Sequence, residues 1–380
     1  MDFAPTETQA LIAQTAREFA TRRIAPIAGE LDRQERFPLE LVQGLAELGL
    51  LGVNVKSAWG GADAGAIAYA LAMKEVAKAC ASTAVTMAVT NMVAEVIQRF
   101  GSDEQRERHL PAITSGRYVT GAFALSEPQV GSDPSALATT AKRVPDGWVL
   151  DGQKQWITNG AHAGVMVVWA RTGAAGAKGI SCFLVEQGSS GLIVGKAEDK
   201  LGLRASNTVP LTFEECRVPA SALLGEEGMG FRIAMMALDG GRIGIAAQSI
   251  GIGSAALDEA LTYARDRQAF GKSIGEFQAI QWMLADSRTE LDAADLMMLR
   301  AAWLKDEGKP FTREAAMAKL MASEAANRVA NRCMQIHGGY GYTREFAVER
   351  HLRDVRVTTI YEGTSEIQRL VIARDLLKTS

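Results

Sequence analysis

Along this chain of 380 residues the spacing of apolar positions changes character twice, and the order of those changes restricts the architectures open to it. Thr6 and Gln9 have the spacing of a capping box, and Leu11, Ile12, Ala16 and Phe19 follow on one helical face, which predicts a helix over about 6–30. Residues 39–50, 66–97 and 103–113 read as further helices, separated by loops such as Trp59-Gly60-Gly61. The texture then switches to short runs of Val, Leu and aromatics at 148–150, 165–169, 181–185, 192–194 and 209–213. Turn pairs such as Asp146-Gly147 and Asp151-Gly152 bound them, an antiparallel strand signature that ends near Pro219. Helical periodicity returns at Phe231 and holds through 254–267, 277–304, 311–337 and 365–377. Helices, then strands, then helices imply segregated units and no alternating βαβ order. The expected class is multidomain α+β: a helical unit over 1–118, an antiparallel β unit over 119–226 and a helical bundle over 227–380.

That order sets aside two glycine decoys, Gly225-Glu226-Glu227-Gly228-Met229-Gly230 and Gly251-Ile252-Gly253. A dinucleotide fingerprint needs a strand before it and a helix after it inside a βαβ unit. Here one run leaves the strand region and the other lies inside a helix, so a turn and tight helix packing are expected.

Composition excludes more than it assigns. With 47% hydrophobic and 22% charged residues and a formal net charge of -3, the chain has no bulk positive field to draw nucleic acid or an anionic membrane. Cys80, Cys182, Cys216 and Cys333 are far apart, and no His stands at metal-ligand spacing, so neither a zinc site nor a disulfide framework is expected. The uncharged runs 80–94 and 243–257 fall short of the ~18–20 apolar residues of a membrane span. The sequence opens without a basic region followed by an apolar run, so a cytoplasmic location is expected.

Five stretches carry chemistry. Phe123-Ala124-Leu125-Ser126-Glu127-Pro128-Gln129-Val130-Gly131-Ser132-Asp133 packs hydroxyls, carboxylates and a Gly into a loop that could cradle a phosphate or ring oxygens, or form a turn with Asx and Ser caps. In Gln155-Trp156-Ile157-Thr158-Asn159-Gly160, Trp156 and Thr158 share a strand face, where they serve either the core or the face and edge of a planar ring. Arg267 and Phe270 sit at a helix junction with Gln278 beyond, placed to hold a pyrophosphate and an adenine or, for Arg267, to complement a helix dipole. Gln335-Ile336-His337-Gly338-Gly339 closes a long helix in glycines, which serve as a C-cap or let backbone approach a ligand. Last comes Tyr361-Glu362-Gly363-Thr364-Ser365-Glu366-Ile367-Gln368, where Ser365 and Gln368 have capping-box spacing and Glu362 is superfluous to the cap.

In that order, from about Phe3 to the final helix, these stretches resemble the acyl-CoA dehydrogenases, FAD-dependent flavoproteins. The run from Ile360 and the earlier Asp239-Gly240-Gly241-Arg242 look most similar to the short-chain, butyryl-CoA branch. The resemblance implies an N-terminal helical domain, a middle β domain and a C-terminal four-helix bundle, assembled as a homotetramer. It implies that Phe123, Leu125, Ser126, Gly131 and Ser132 run along the flavin, with Ser126 on its pyrimidine edge and Ser132 also near substrate. Trp156 and Ile157 would lie beside the ring, with Thr158 bonding its N5. Arg267, Phe270 and Gln278, and reciprocally Gln335, Gly338 and Gly339, would hold the ADP part across a subunit boundary. Thr364 and Glu366 would touch the diphosphate and adenosine region, and Asp239, Arg242, Tyr361 and Gly363 the acyl-CoA.

Glu362 matches the family's base, which removes an α proton while the β hydrogen leaves as hydride to flavin N5. Enclosure should raise its pKa. In some branches the base stands beside the Arg of the Asp-x-x-Arg motif, where this chain has Gly241. Two departures from the family pattern stand out: Ser126 replaces Thr and keeps the hydroxyl, and Val130 replaces Ala. His337 has no assigned role, and His109, His162 and His351 are expected at the surface or satisfied in the core. The resemblance further implies an electron-transferring flavoprotein as acceptor and an acyl pocket lined partly by residues 83–93. An oxidase on the same scaffold and a nucleic-acid-binding relative are the alternatives, the second disfavoured by the net charge.

Overall fold

In the computed structural model, which describes residues 4–378, the capping box at Thr6 closes. Its hydroxyl accepts from the Gln9 N–H at 3.3 Å, and the Gln9 side chain accepts from the Thr6 N–H at 2.9 Å. Phe3, where the resemblance begins, lies outside the described residues. Helix α1 (Glu7–Phe19) passes through a π turn at Ala20–Ile24 into α2 (Ala25–Gln34). The first helical stretch therefore runs past the predicted end at 30. Pro26 enters within that continuous helix, and the wider π turn just before it makes room for a ring that would otherwise clash one turn back. Helix α3 (Leu39–Glu47) follows. The predicted helix 66–97 is two, α4 (Gly65–Ala79) and α5 (Ala81–Phe100), broken at Cys80 with φ -156° and ψ 112°. Both ladders close on that residue: its N–H donates to the Val76 carbonyl and its carbonyl accepts from Ala84. Helix α6 (Asp103–Thr114) has its own Ser102/Gln105 capping box.

The middle of the chain forms an eight-stranded sheet from β1 (Thr120–Ala124), β2 (Thr140–Val144), β3 (Gly147–Thr158), β4 (Ala163–Arg171), β5 (Ile180–Glu186), β6 (Leu192–Val194), β7 (Thr208–Pro219) and β8 (Leu223–Leu224). The order is β6-β7-β3-β2-β4-β5-β8, with β1 on β4. Most ladders are antiparallel, as the turn-bounded runs predict, but β1 pairs with β4 in parallel. No hairpin follows β1; the chain enters the 125–139 loop instead, so β1 reaches its partner without reversing. Between Lys154 and Ile157 the β3–β7 register slips by one residue, a bulge centred on the left-handed Trp156. Lys154 and Ile157 are both buried, and Trp156 and Thr158 flank Ile157 on the other face.

The 37-residue α7 (Gly230–Asp266) leaves the sheet, anchored by the Trp169 indole N–H on the Gly230 carbonyl at 2.7 Å. A two-residue ribbon of β9 (Gln268–Ala269) and β10 (Lys272–Ser273) leads to α8 (Gln278–Asp306), α9 (Thr312–His337), α10 (Val348–Val355) and α11 (Ser365–Leu376). Leu45 and Met73 of the first helices share one core with Ile250, Met298 and Ala318 of the last. A Cβ at Gly251 would lie 2.5 Å from the Lys74 carbonyl oxygen, so the interior glycine of the decoy is what lets α7 and α4 pack.

Candidate functional site

The chain turns sharply between α10 and α11. Glu362 (φ 54°) and Gly363 (φ 85°) are consecutive left-handed residues, a conformation that costs about 1 kcal/mol or more for a residue with a side chain. Buried groups hold the turn. The Lys319 ammonium donates to the Gly363 carbonyl at 2.7 Å, and the Gln368 amide donates to the Gly363 and Glu362 carbonyls at 2.9 and 3.1 Å. The predicted Ser365/Gln368 capping box does not form. The cap is one residue earlier: Thr364 accepts from the Ile367 N–H, leaving the Gln368 side chain free to clamp the turn.

This backbone sends the Glu362 carboxylate inward. Its Oε2 is buried without a hydrogen-bond partner among the described residues. Burial pushes the carboxyl up to about 7, against the pull of Arg242 and Lys319. Opposite stands Gly241, where an added Cβ would come within 2.6 Å of that oxygen and 3.2 Å of the Met92 sulfur. The Glu362 N–H meets no acceptor among the described residues, since the bonds of the preceding turn end at Tyr361. Next along α7, the buried Arg242 pairs with Asp239 at 2.6 Å, and Asp239 accepts from the Thr312 hydroxyl at 2.5 Å. The Tyr361 hydroxyl donates to Gln248, whose amide holds the Ala81 carbonyl at 2.9 Å.

On the sheet side, Phe123 packs on Trp169 with ring centroids 4.2 Å apart. Leu125 is buried, Ser126 half-buried, and Gly131 and Ser132 exposed. Asp133 accepts from the Ser135 N–H and hydroxyl, the Asx-type turn that was one reading of this loop. Sequence reasoning missed what fixes the loop: the buried Glu127 pairs with the buried Lys154 at 2.8 Å and accepts from the Ala138 and Thr139 amides at 2.6 and 2.9 Å. The one available signal was a lysine at a buried strand position. Trp156 is 61% exposed and Phe270 95%, both left-handed. A Cβ added at Gly131, Gly338 or Gly339 would meet nothing within 4 Å.

At the far end of the bundle the Arg267 guanidinium lies 5.5 Å from the Tyr340 ring, which brings the 267–278 and 335–342 segments together. Gln278, Gln335 and Glu366 are exposed. His337 now has a place: it stacks on Tyr263 at 4.4 Å, meets Phe346 edge-on and bonds the Cys333 carbonyl through Nδ1. His162 stacks on Phe37 and His351 faces Glu259. His109, expected at the surface or satisfied in the core, is buried with Nδ1 unpartnered among the described residues. A cavity of about 310 Å³ between α6 and the ends of β5 and β7 contains none of the expected site residues.

Exposed rings at strained backbone, open glycine edges and an exposed arginine fit a planar ring joined to a diphosphate and an adenine. Among the described residues no group of His, Cys, Asp or Glu could hold a metal ion, and no helix is long and apolar enough to cross a membrane.

Comparison with known proteins agrees with this arrangement. Family models described as acyl-CoA dehydrogenase N-terminal, middle and C-terminal domains match residues 6–117, 122–216 and 228–377. The chain is 52% identical over 375 residues to the mitochondrial short-chain specific acyl-CoA dehydrogenase of Bos taurus, covering 98% of this chain and 91% of that one. It superposes on butyryl-CoA dehydrogenase from Megasphaera elsdenii with a TM-score of 0.97 at 43% identity, each chain covered completely. A chain from a structure described as the electron transferring flavoprotein of Acidaminococcus fermentans gives a TM-score of 0.98 at 43% identity, again with complete coverage. The three matched segments therefore place the chain in the acyl-CoA dehydrogenase family, with its three-domain fold and its FAD.

Proposed function

We propose that this FAD-dependent acyl-CoA dehydrogenase acts on short acyl-CoA thioesters and that Glu362 removes the α proton. The observation that carries the assignment is the buried Glu362 oxygen without a partner, facing the space that Gly241 leaves open. A carboxyl near 7 is half ionised at neutral pH and gains more driving force as a base than an ordinary glutamate. The free Glu362 N–H is placed to donate to the thioester oxygen as negative charge develops there. FAD, when bound, supplies the acceptor for the β hydride. Trp156, Ile157 and Thr158, with Phe123, Leu125, Ser126, Gly131 and Ser132, are proposed to hold its ring side. Arg267, Phe270, Gln278, Gln335, Gly338, Gly339, Thr364 and Glu366 are proposed to hold its ADP side. Asp239, Arg242, Tyr361, Gly363 and Ser132 are assigned to acyl-CoA.

Similarity to short-chain relatives supports a small acyl group. Steady-state kcat/KM should be highest for butyryl-CoA and fall through octanoyl- to palmitoyl-CoA; a maximum at palmitoyl-CoA contradicts this reading. Gly241→Ala should place a methyl against the carboxylate and cut kcat/KM with butyryl-CoA by about 100-fold, as displacements near 1 Å do. Unchanged kinetics in that variant would mean that substrate does not react in this space.

The Acidaminococcus likeness supports an electron-transferring flavoprotein as acceptor. Exposed Trp282, Trp303 and Tyr342 support assembly of several copies, proposed to be a homotetramer sharing its FAD sites. A cytoplasmic location is also proposed, as are units bounded at 118/119 and 226/227; the strands of the eight-stranded sheet all lie between Thr120 and Leu224.

A further inference from the structure

A fully buried lysine is costly unless its charge is answered. Lys319, in the second turn of α9, is fully buried and forms no ion pair within 4.0 Å among the described residues. Its one hydrogen bond goes to the Gly363 carbonyl at 2.7 Å. That carbonyl belongs to the second residue of the left-handed turn, directly after Glu362. Arg242, the other cation facing Glu362, is already committed to Asp239 at 2.6 Å. Lys319 is therefore the uncommitted positive charge beside the base. We infer that Lys319 is a positioning residue for this reaction: its ammonium fixes the Gly363 carbonyl, so that the strained turn aims Glu362, and its charge keeps that carboxylate ionised.

The electrostatics run the same way. Burial pushes Lys319 down to about 8 while Glu362 pulls it up, and Lys319 in turn pulls Glu362 down. The other charged or titratable groups in the neighbourhood are Arg242 on α7, Tyr69 on α4, Glu95 on α5, Tyr361 on the turn itself, and Glu324 and Glu366 beside Lys319. Removing the ammonium leaves Glu362 with Arg242 alone to oppose its desolvation, so its proton affinity must rise.

The inference rests on Glu362 being the base, and the test separates the two. The wild-type holoenzyme should show a kcat/KM profile for butyryl-CoA that falls on the acid side through about 7; absence of that limb is a failure of the base assignment. With the limb present, Lys319→Met and Lys319→Gln should move it up by about one pH unit, giving about a tenfold loss below the limb. Lys319→Arg, which keeps the charge, should leave it in place. An acid limb at the same pH in all four proteins overturns the inference, and so does a limb that moves equally in Lys319→Arg. If both uncharged variants fail to fold while Lys319→Arg folds, Lys319 serves stability and the positioning role is rejected.

Discussion

Glu362→Gln should retain its yellow FAD, bind butyryl-CoA with near wild-type affinity and lose dehydrogenation by roughly three orders of magnitude or more. Gln is close to Glu in shape, so the turn clamped by Lys319 and Gln368 through backbone carbonyls is undisturbed. What disappears is the carboxylate proposed to take the α proton, and Gly241 offers no replacement on the facing helix. The same change removes a desolvated acid, so the variant should be no less stable than the wild type. Flavin absorbance, acyl-CoA affinity and kcat measured on one preparation check all three. Near-normal kcat would mean that the proton is removed elsewhere.

Lys154→Met is expected to be the most damaging single change in the sheet. It leaves the Glu127 carboxylate buried with two backbone amides, the Gln129 side-chain amide and no paired cation, and breaking one side of a buried pair costs about 3–5 kcal/mol. Burial opposes ionisation of Glu127, yet Lys154 and the Ala138 and Thr139 donors hold its carboxyl below the usual range. Without Lys154 that balance reverses. The 125–139 loop also loses the Lys154 bond to the Leu125 carbonyl, so the proposed flavin-facing segment should loosen. Denaturant unfolding should show the stability loss, and purified protein should carry less FAD per chain. Wild-type stability with full FAD content would show that the pair does not organise the loop. A double change with Glu127→Leu should recover part of the stability, because no charge is then left unpaired.

The segregated order of helices and strands was readable because hydrophobic period is a local property. Details set by long-range contacts were not. Cys80 breaks a helix without Gly or Pro to announce it, and β1 finds a parallel partner some forty residues on. The α11 cap shows a finer limit. Thr364 and Ser365 are adjacent hydroxyls, and spacing alone chose Ser365 because Gln368 stands three residues on; the structure caps with Thr364 and gives Gln368 to the turn. Glu362 could be singled out because the cap did not need it, and resemblance gave it a role. Lys319 and Lys154 could not be paired, since their partners lie 44 and 27 residues away.

Anaerobic titration of the purified holoenzyme with butyryl-CoA tests the central claim most directly, because it reads transfer to the flavin without any electron acceptor. The oxidised flavin band should bleach in the wild type and persist in Glu362→Gln. An unbleached band in the wild type across a panel of short acyl-CoA thioesters would contradict short-chain acyl-CoA dehydrogenation by this chain.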